Sequence, residues 1–281
     1  MSIPKGGVVV FDSGIGGLTT LAKCVELCKI RPFYYYGDNA RAPYGNLSPE
    51  RVRGYVSEIF EKLETLQPCA AVLACNTVTA LCVEALRKKY AFPIIGAEPA
   101  VRAAAKRGGE IFVLATSATV QSAKFHALCQ NVERKYPSAR VRVFACPALA
   151  GAIENRLTEK NFDFTSFLPV GNPSSVVLGC THYVFIQNRI GEFYHCPTFD
   201  GNIGIAQRLR FFVDNFPNPL HGLNCGEVSV FGDNCGKSRE GQPLLSTIPP
   251  SGGKEGEIYF LGGSSVYNRT IFEQMFVNVR K

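Results

Sequence analysis

The chain has 281 residues, 46% of them hydrophobic and 19% charged, with 27 glycines and 17 prolines; it has ample apolar material for a core, which excludes a disordered or collagen-like polypeptide. That length allows one large domain or two modest ones and buries roughly three-quarters of the unfolded surface without help from disulfides. The formal charge of +7, from 30 basic against 23 acidic residues, is scattered, so it points to a modest pull on small anionic substrates and away from a nucleic-acid partner.

Val8–Phe11 reads as a strand. It is too short an apolar run for a signal peptide or a membrane span, so a cytoplasmic protein with no membrane partner is expected. Leu18–Cys28 reads as a helix, Phe33–Tyr36 as a strand, Pro49–Leu66 as a helix and Ala70–Ala74 as a buried strand. A helix through Lys89, a strand at Pro93–Gly96 and a helix from Pro99 to Lys106 follow. Arg87-Lys88-Lys89, the densest basic cluster, suits the dipole at a helix C-terminus. The pattern then restarts with a strand at Ile111–Ala115, a helix at Ser122–Tyr136, and strands at Arg140–Ala145 and Ser175–Leu178. Residues 232–256 are rich in Gly, Ser and Pro and read as a mobile loop; Glu257–Leu261 (strand) and Tyr267–Phe276 (helix) then return to complete the first half. Such alternation predicts an α/β fold with mostly parallel sheets.

The restart has the form of an internal repeat. Sixty-three positions separate Asp12 from Cys75, and 64 separate Thr116 from Cys180. Ala71-Val72-Leu73-Ala74-Cys75-Asn76-Thr77 stands beside Val176-Val177-Leu178-Gly179-Cys180-Thr181-His182. Two similar α/β halves are expected, each presenting a cysteine at the carboxyl end of a strand, facing one another across a cleft.

Eleven cysteines without a single Cys-x-x-Cys speak against zinc ribbons and thioredoxin-type redox motifs, and no metal site is expected. Most, such as Cys24, Cys28 and Cys129, read as core filler. The glycine-rich turn Asp12-Ser13-Gly14-Ile15-Gly16-Gly17-Leu18 could offer backbone amides to an anion, but it has neither the dinucleotide spacing nor a Gly-Lys-Ser/Thr. Cys75 closes an apolar strand ahead of Asn76-Thr77, so its thiol is expected at the sheet rim beside a helix N-terminus, a setting that lowers thiol pKa. Cys180 has the same setting, with His182 two positions on. One strand-end cysteine is more often filler than a reactive group; two in matched contexts, one near a histidine and one matched to Asp12, point to function. No Gly-x-Ser-x-Gly elbow and no Cys-x5-Arg loop competes.

In these segments the sequence resembles the glutamate racemases of the cofactor-independent aspartate/glutamate racemase superfamily. The matching segments are Phe11-Asp12-Ser13-Gly14-Ile15-Gly16-Gly17-Leu18, Gly37-Asp38-Asn39-Ala40-Arg41-Ala42-Pro43-Tyr44-Gly45 and Ala74-Cys75-Asn76-Thr77. Glu98-Pro99-Ala100, Ala145-Cys146-Pro147 leading to Glu154, and Gly179-Cys180-Thr181-His182-Tyr183 continue the match, which spans about residues 8–210 in order. The resemblance implies two similar α/β domains, pseudo-twofold related, with the active site between them; residues 1–97 plus 210–281 are assigned to the first and 98–209 to the second. It makes Cys75 and Cys180 the catalytic acid/bases, with Asp12, Glu154 and His182 assisting. Ser13, Pro43, Tyr44, Gly45, Asn76, Thr77, Thr116, Thr119 and Thr181 match or lie close to substrate-holding positions. It further implies a cofactor-free enzyme taking L- or D-glutamate, and a role in peptidoglycan synthesis; a homodimer is expected.

Racemisation needs one deprotonated and one protonated group flanking the α-carbon, and free thiols near pKa ~8.5 serve in either state after modest tuning. Without a pyridoxal electron sink, hydroxyls and amides at the substrate carboxylate must stabilise the carbanion-like transition state; Ser13, Asn76, Thr77 and Thr181 are the expected donors. A racemase of aspartate or another amino acid, or a catalytically silent binder of acidic amino acids, are the alternative readings. Asp38 or Arg41 could simply brace the Pro43-Tyr44-Gly45 turn; His126 reads as a surface-helix residue, and His195 and His221 as loop residues. Three departures from the family pattern stand out: Val184 where a proline is common, Asp200-Gly201 where Asp-Ser is usual, and a Gly/Ser/Pro-rich stretch at 232–256 that is longer than usual.

Overall fold

The structure, a computed structural model, describes residues 5–28, 32–157, 159, 162–215, 246–248 and 258–277. The first half runs β1 (Val8–Asp12), α1 (Gly17–Leu27), β2 (Phe33–Gly37), α2 (Pro49–Glu64), β3 (Ala70–Leu73), α3 (Asn76–Lys89) and β4 (Ile94–Gly96). The second runs α4 (Val101–Ala105), β5 (Gly109–Ala115), α5 (Ser117–Val120), α6 (Ala123–Lys135), β6 (Ala139–Ala145), α7 (Pro147–Arg156), β7 (Ser175–Gly179), α8 (Gln187–Tyr194) and β8 (Thr198–Phe199). Then come α9 (Asn202–Asn215), β9 (Ser246–Ile248), β10 (Ile258–Leu261) and α10 (Ser265–Phe272).

Two sheets result, with strand orders β4-β3-β1-β2-β10-β9 and β6-β5-β7-β8. All pairings are parallel except β9 on β10. Read from the other edge, the second sheet is β8-β7-β5-β6, the order of β4-β3-β1-β2, so the repeat seen in the spacing is also a repeat of topology. β10 pairs with β2 in register, Leu261 opposite Tyr36, which returns the tail to the first sheet. The predicted loop at 232–256 lies outside the described residues except for 246–248, and His221 lies outside them too.

The central strands read as continuous apolar runs because both faces are covered. Val9 and Phe11 pack with Val56, Ile59 and Phe60 of α2 and Val78 and Val83 of α3. Their neighbours Val8 and Val10 pack with Leu18 and Leu21 of α1, Ile205 and Leu209 of α9 and Ile271 of α10. The second sheet repeats this: Phe112 and Leu114 face α7 and α8, while Ile111 and Val113 face α4 and α6. Helix starts follow the local chemistry: Ser48 and Ser122 accept from the Arg51 and Phe125 amides, each such cap contributing about 1 kcal/mol.

Between Gly96 and Val101 and again near Asp200-Gly201 the chain crosses between the halves. A Cβ on Gly201 would sit 2.7 Å from the Glu98 carbonyl oxygen, so a serine there would not fit without a shift of the backbone. Asp200 accepts from the Asn202 amide at 2.8 Å and starts α9. Asn202 bonds Thr19 and Thr20 of α1, at 3.1 and 2.6 Å. Through Ile205, Ala206 and Leu209, α9 packs on α1 and the first sheet.

Candidate active site

Parallel sheets bind ligands beyond the carboxyl ends of their strands, and the rims of the two sheets face each other here. Between them lies a small cavity. Its first-half wall is Ser13, Pro43, Tyr44, Gly45, Cys75, Asn76 and Thr77; its second-half wall is Thr116, Ala150, Cys180, Thr181 and His182. Asp12, Glu154 and Thr119 stand one hydrogen bond behind that lining, on Thr181, His182 and Thr116 respectively. All fourteen residues singled out in the sequence thus converge on one place, and Ala150 is the added one. A wider groove elsewhere, between Arg87, Arg102, Phe199 and Arg208, holds neither thiol, and none of its carboxylates or cations is buried.

The two thiols are equally hidden, each 6% exposed, but their surroundings differ. Cys75 occupies the N-cap of α3, and its Sγ lies 3.5 Å from Ser13 Oγ. Burial pushes this thiol up to about 12, the charge of Asp12 adds to that, and the Ser13 hydroxyl and Val78 amide offset only part. The pKa-lowering expected of the helix N-terminus is therefore overturned. The amide is present, but removal from water outweighs it.

Asp12 is itself fully buried, and burial raises it from 3.8 to about 6. The charge of His182, the Gly14 amide on Oδ1 at 3.0 Å and the Thr181 hydroxyl on Oδ2 at 3.1 Å restrain the rise.

Cys180 has a different partner. Its Sγ lies 3.8 Å from His182 Nδ1, and the other ring nitrogen meets Glu154 Oε2. Burial works against a charged imidazole, yet the contacts with Cys180 and Glu154 hold His182 well above its usual value. Glu154 in turn accepts from the Asn39 side-chain amide at 2.8 Å and the Ile15 backbone amide at 3.3 Å. Sequence reasoning missed Asn39: it lies within the quoted Gly37–Gly45 stretch, but no spacing relates it to a carboxylate 115 positions away.

Hydroxyls line the rest of the cavity and tie its walls together. Thr77 and Thr116 bond across it at 2.9 Å, and Thr116 reaches Thr119 at 3.0 Å. Two glycines allow this closeness: a Cβ on Gly16 would lie 2.3 Å from Thr181 Oγ1, and one on Gly45 would lie 2.8 Å from Thr116 Cβ. Tyr44 donates to Asp38, which also pairs with Arg41 at 2.6 Å, so this acid and base brace the turn that carries Tyr44. No Lys or Arg reaches the lining, so an anionic ligand would be met by hydroxyls, amides and the N-terminus of α3. His126 lies exposed on α6, and His195 caps α8 in the left-handed region at φ 52°. Among the described residues no His/Cys/Asp/Glu cluster is placed to hold a metal, and no helix is long and apolar enough to cross a membrane.

With two α/β halves facing one another across this cavity, the chain belongs to the Asp/Glu/hydantoin racemase family, whose model matches residues 16–209. Among its relatives, the glutamate racemase of Clostridium acetobutylicum is 33% identical over 240 residues, 82% of this chain and 93% of that protein. The glutamate racemase of Clostridium botulinum strain Kyoto is 34% identical over 87% of this chain and 96% of that one. Of solved structures, Escherichia coli glutamate racemase in complex with L-glutamate and the activator UDP-MurNAc-ala superposes with a TM-score of 0.66. It is 27% identical, with 75% of this chain and 84% of that one covered. Glutamate racemase isoform RacE1 from Bacillus anthracis gives 0.64 and 28%, over 75% and 83% of the two chains.

Proposed function

We propose that this chain interconverts L- and D-glutamate without pyridoxal, using Cys75 and Cys180 as the two acid/bases. One observation carries the reading: two buried thiols from matching strand ends line one small cavity, each beside its own acid system. Cys75 has Ser13 and Asp12; Cys180 has the His182–Glu154 pair. In either direction one thiolate takes the α-proton while the other thiol delivers a proton to the opposite face. At rest Cys75 is protonated, so its working base form depends on the substrate: the α-ammonium group brings the positive charge that burial denies the thiolate. His182, held protonated, is placed to steady a thiolate at Cys180. Ser13, Asn76, Thr77 and Thr181 hold the substrate carboxylate and stabilise the charge that develops beside it. Supplying D-glutamate for peptidoglycan, in the cytoplasm and as a homodimer, is the role this activity fits.

The direct test is circular dichroism of purified protein with each enantiomer and no added cofactor, followed by the same reaction in heavy water. Both enantiomers should converge on the racemate. Early product should carry solvent deuterium at Cα while remaining substrate stays largely protiated, because opposed thiols do not share a proton. Rapid loss of the substrate's own α-proton before inversion would point to a single base instead.

Substrate length is the second test. Both carboxylates must be met by neutral donors at fixed reach, and a ligand one methylene shorter leaves some of those donors unpaired. Each unpaired buried donor costs about 1–3 kcal/mol, so kcat/KM for glutamate should exceed that for aspartate by at least about tenfold. Equal turnover of aspartate in a coupled assay would overturn the substrate assignment and leave the thiol chemistry standing.

A further inference from the structure

We propose that Asn268, on the C-terminal helix α10, and Asn39 act together as positioning residues for Cys180, the Asn268 amide donating to the Asn39 carbonyl directly or through one water. The proposal rests on Cys180 being one of the two bases. The argument starts at Glu154, which holds the His182 ring and takes the Asn39 Nδ2 at 2.8 Å. A carboxylate only accepts, so the Asn39 amide must turn its nitrogen inward and its oxygen outward. That oxygen is buried and has no partner. Asn268 is 0% exposed, and neither its amide nitrogen nor its oxygen has a partner either.

The two orphaned groups face the same gap. A Cβ placed on Gly37 would come within 2.7 Å of the Gly14 carbonyl oxygen, which already accepts from Tyr35, 2.9 Å of Asn268 Nδ2 and 3.0 Å of Asn39 Oδ1. Donor and acceptor thus flank the bare α-carbon of Gly37, within reach of a small rotation or a single bridging water. Buried amides are seldom left unpaired, and a leucine would fill a merely structural slot on this helix face better. β10 fixes where α10 begins, since Leu261 pairs with Tyr36 one residue before Gly37. Burial, and after it the Glu154 charge, raises the neighbouring Tyr267 hydroxyl, so α10 lies within electrostatic reach of that carboxylate.

A chain of contacts then runs from Asn268 through Asn39, Glu154 and His182 to Cys180. Cys75 is bonded to Ser13 and not to this chain, so loosening the chain acts first on proton transfer at Cys180. Because the enantiomers are equal in energy, kcat/KM must fall equally in both directions, and the asymmetry appears in isotope effects instead. When transfer at Cys180 becomes the slowest step, the enantiomer that surrenders its proton there shows a larger Cα-deuterium effect on kcat/KM. The other enantiomer shows a smaller one.

The experiment uses the full chain, Cα-deuterated L- and D-glutamate, and the variants Asn39→Ala and Asn268→Leu, the latter keeping the branched shape at a somewhat larger volume while removing the donor. We expect kcat/KM to drop roughly tenfold for Asn39→Ala and a few-fold for Asn268→Leu. The two isotope effects should diverge in the same sense in both variants. Unchanged isotope effects in both, with parent-like melting, would overturn the proposal while parental racemisation kept the functional reading intact. A parent chain that racemises neither enantiomer would sink that reading and this one with it. Should Asn268→Leu fail to fold, Asn39→Ala, in a partly exposed turn, carries the same comparison alone.

Discussion

Cys75→Ser and Cys180→Ser are each expected to lower kcat/KM for glutamate by at least about a thousandfold while melting within a few degrees of the parent. An aliphatic hydroxyl is far too weak an acid to supply an alkoxide base, whereas a thiol needs only the help of a bound ammonium or a neighbouring imidazolium. Each serine occupies less space than the sulfur it replaces, and the partners Ser13 and His182 can bond to a hydroxyl, so the fold loses little. In the proposed reaction both thiols serve one proton-transfer sequence, so Cys75→Ser/Cys180→Ser should be scarcely slower than either single variant. Initial rates by circular dichroism, with thermal melts as the folding control, decide the matter. Near-parental turnover in either single variant would make that cysteine core filler, and the two-base assignment would fall.

The parts of this molecule that could be read from sequence are those whose causes are local. Val8–Phe11 and Ile111–Ala115 announce buried strands because both faces of a central parallel strand are covered. The paired cysteine segments announce the repeat because the same rim is built twice. No helix is predicted over 147–156, where Gly151 interrupts a short apolar face of Leu149, Ala150 and Ile153. Nor is α9 predicted: Ile205 and Leu209 are a sparse signal, and its anchoring to Thr19 and Thr20 is a contact across about 180 positions. The acid–base state of Cys75 is hidden for a related reason. A helix N-terminus is visible in the sequence, whereas the burial that outweighs it belongs to two domains closing on each other. The bond between Asn39 and Glu154 is of the same kind.

Asp12→Asn is expected to move stability and activity in opposite directions. Burial raises the Asp12 carboxyl from 3.8 to about 6, so the folded chain binds its proton more tightly than the unfolded chain does. The stability contributed by that proton is therefore fully present below pH 4, drains away as pH rises through about 6, and is absent above. About two pKa units correspond to roughly 3 kcal/mol of penalty at pH 7.5, a penalty that the neutral amide does not suffer. An asparagine can still accept from the Gly14 amide and meet the Thr181 hydroxyl, so the turn keeps its bonds. The variant should melt within a degree or so of the parent at pH 4 and several degrees higher at pH 7.5, since 1 kcal/mol corresponds to about 2–4 °C in a chain of this size. Activity should go the other way. Without the buried charge, the negative field that Asp12 sets one hydrogen bond behind the lining is lost to the α-ammonium, and kcat/KM should fall on the order of a hundredfold or more. The parent's kcat/KM should also show an acid limb near pH 6, the ionisation of Asp12 in the free enzyme, and that limb should vanish in the variant. A variant less stable than the parent at pH 7.5, or one that keeps the acid limb, would mean that Asp12 is held charged by its neighbours and that its burial stores no such penalty.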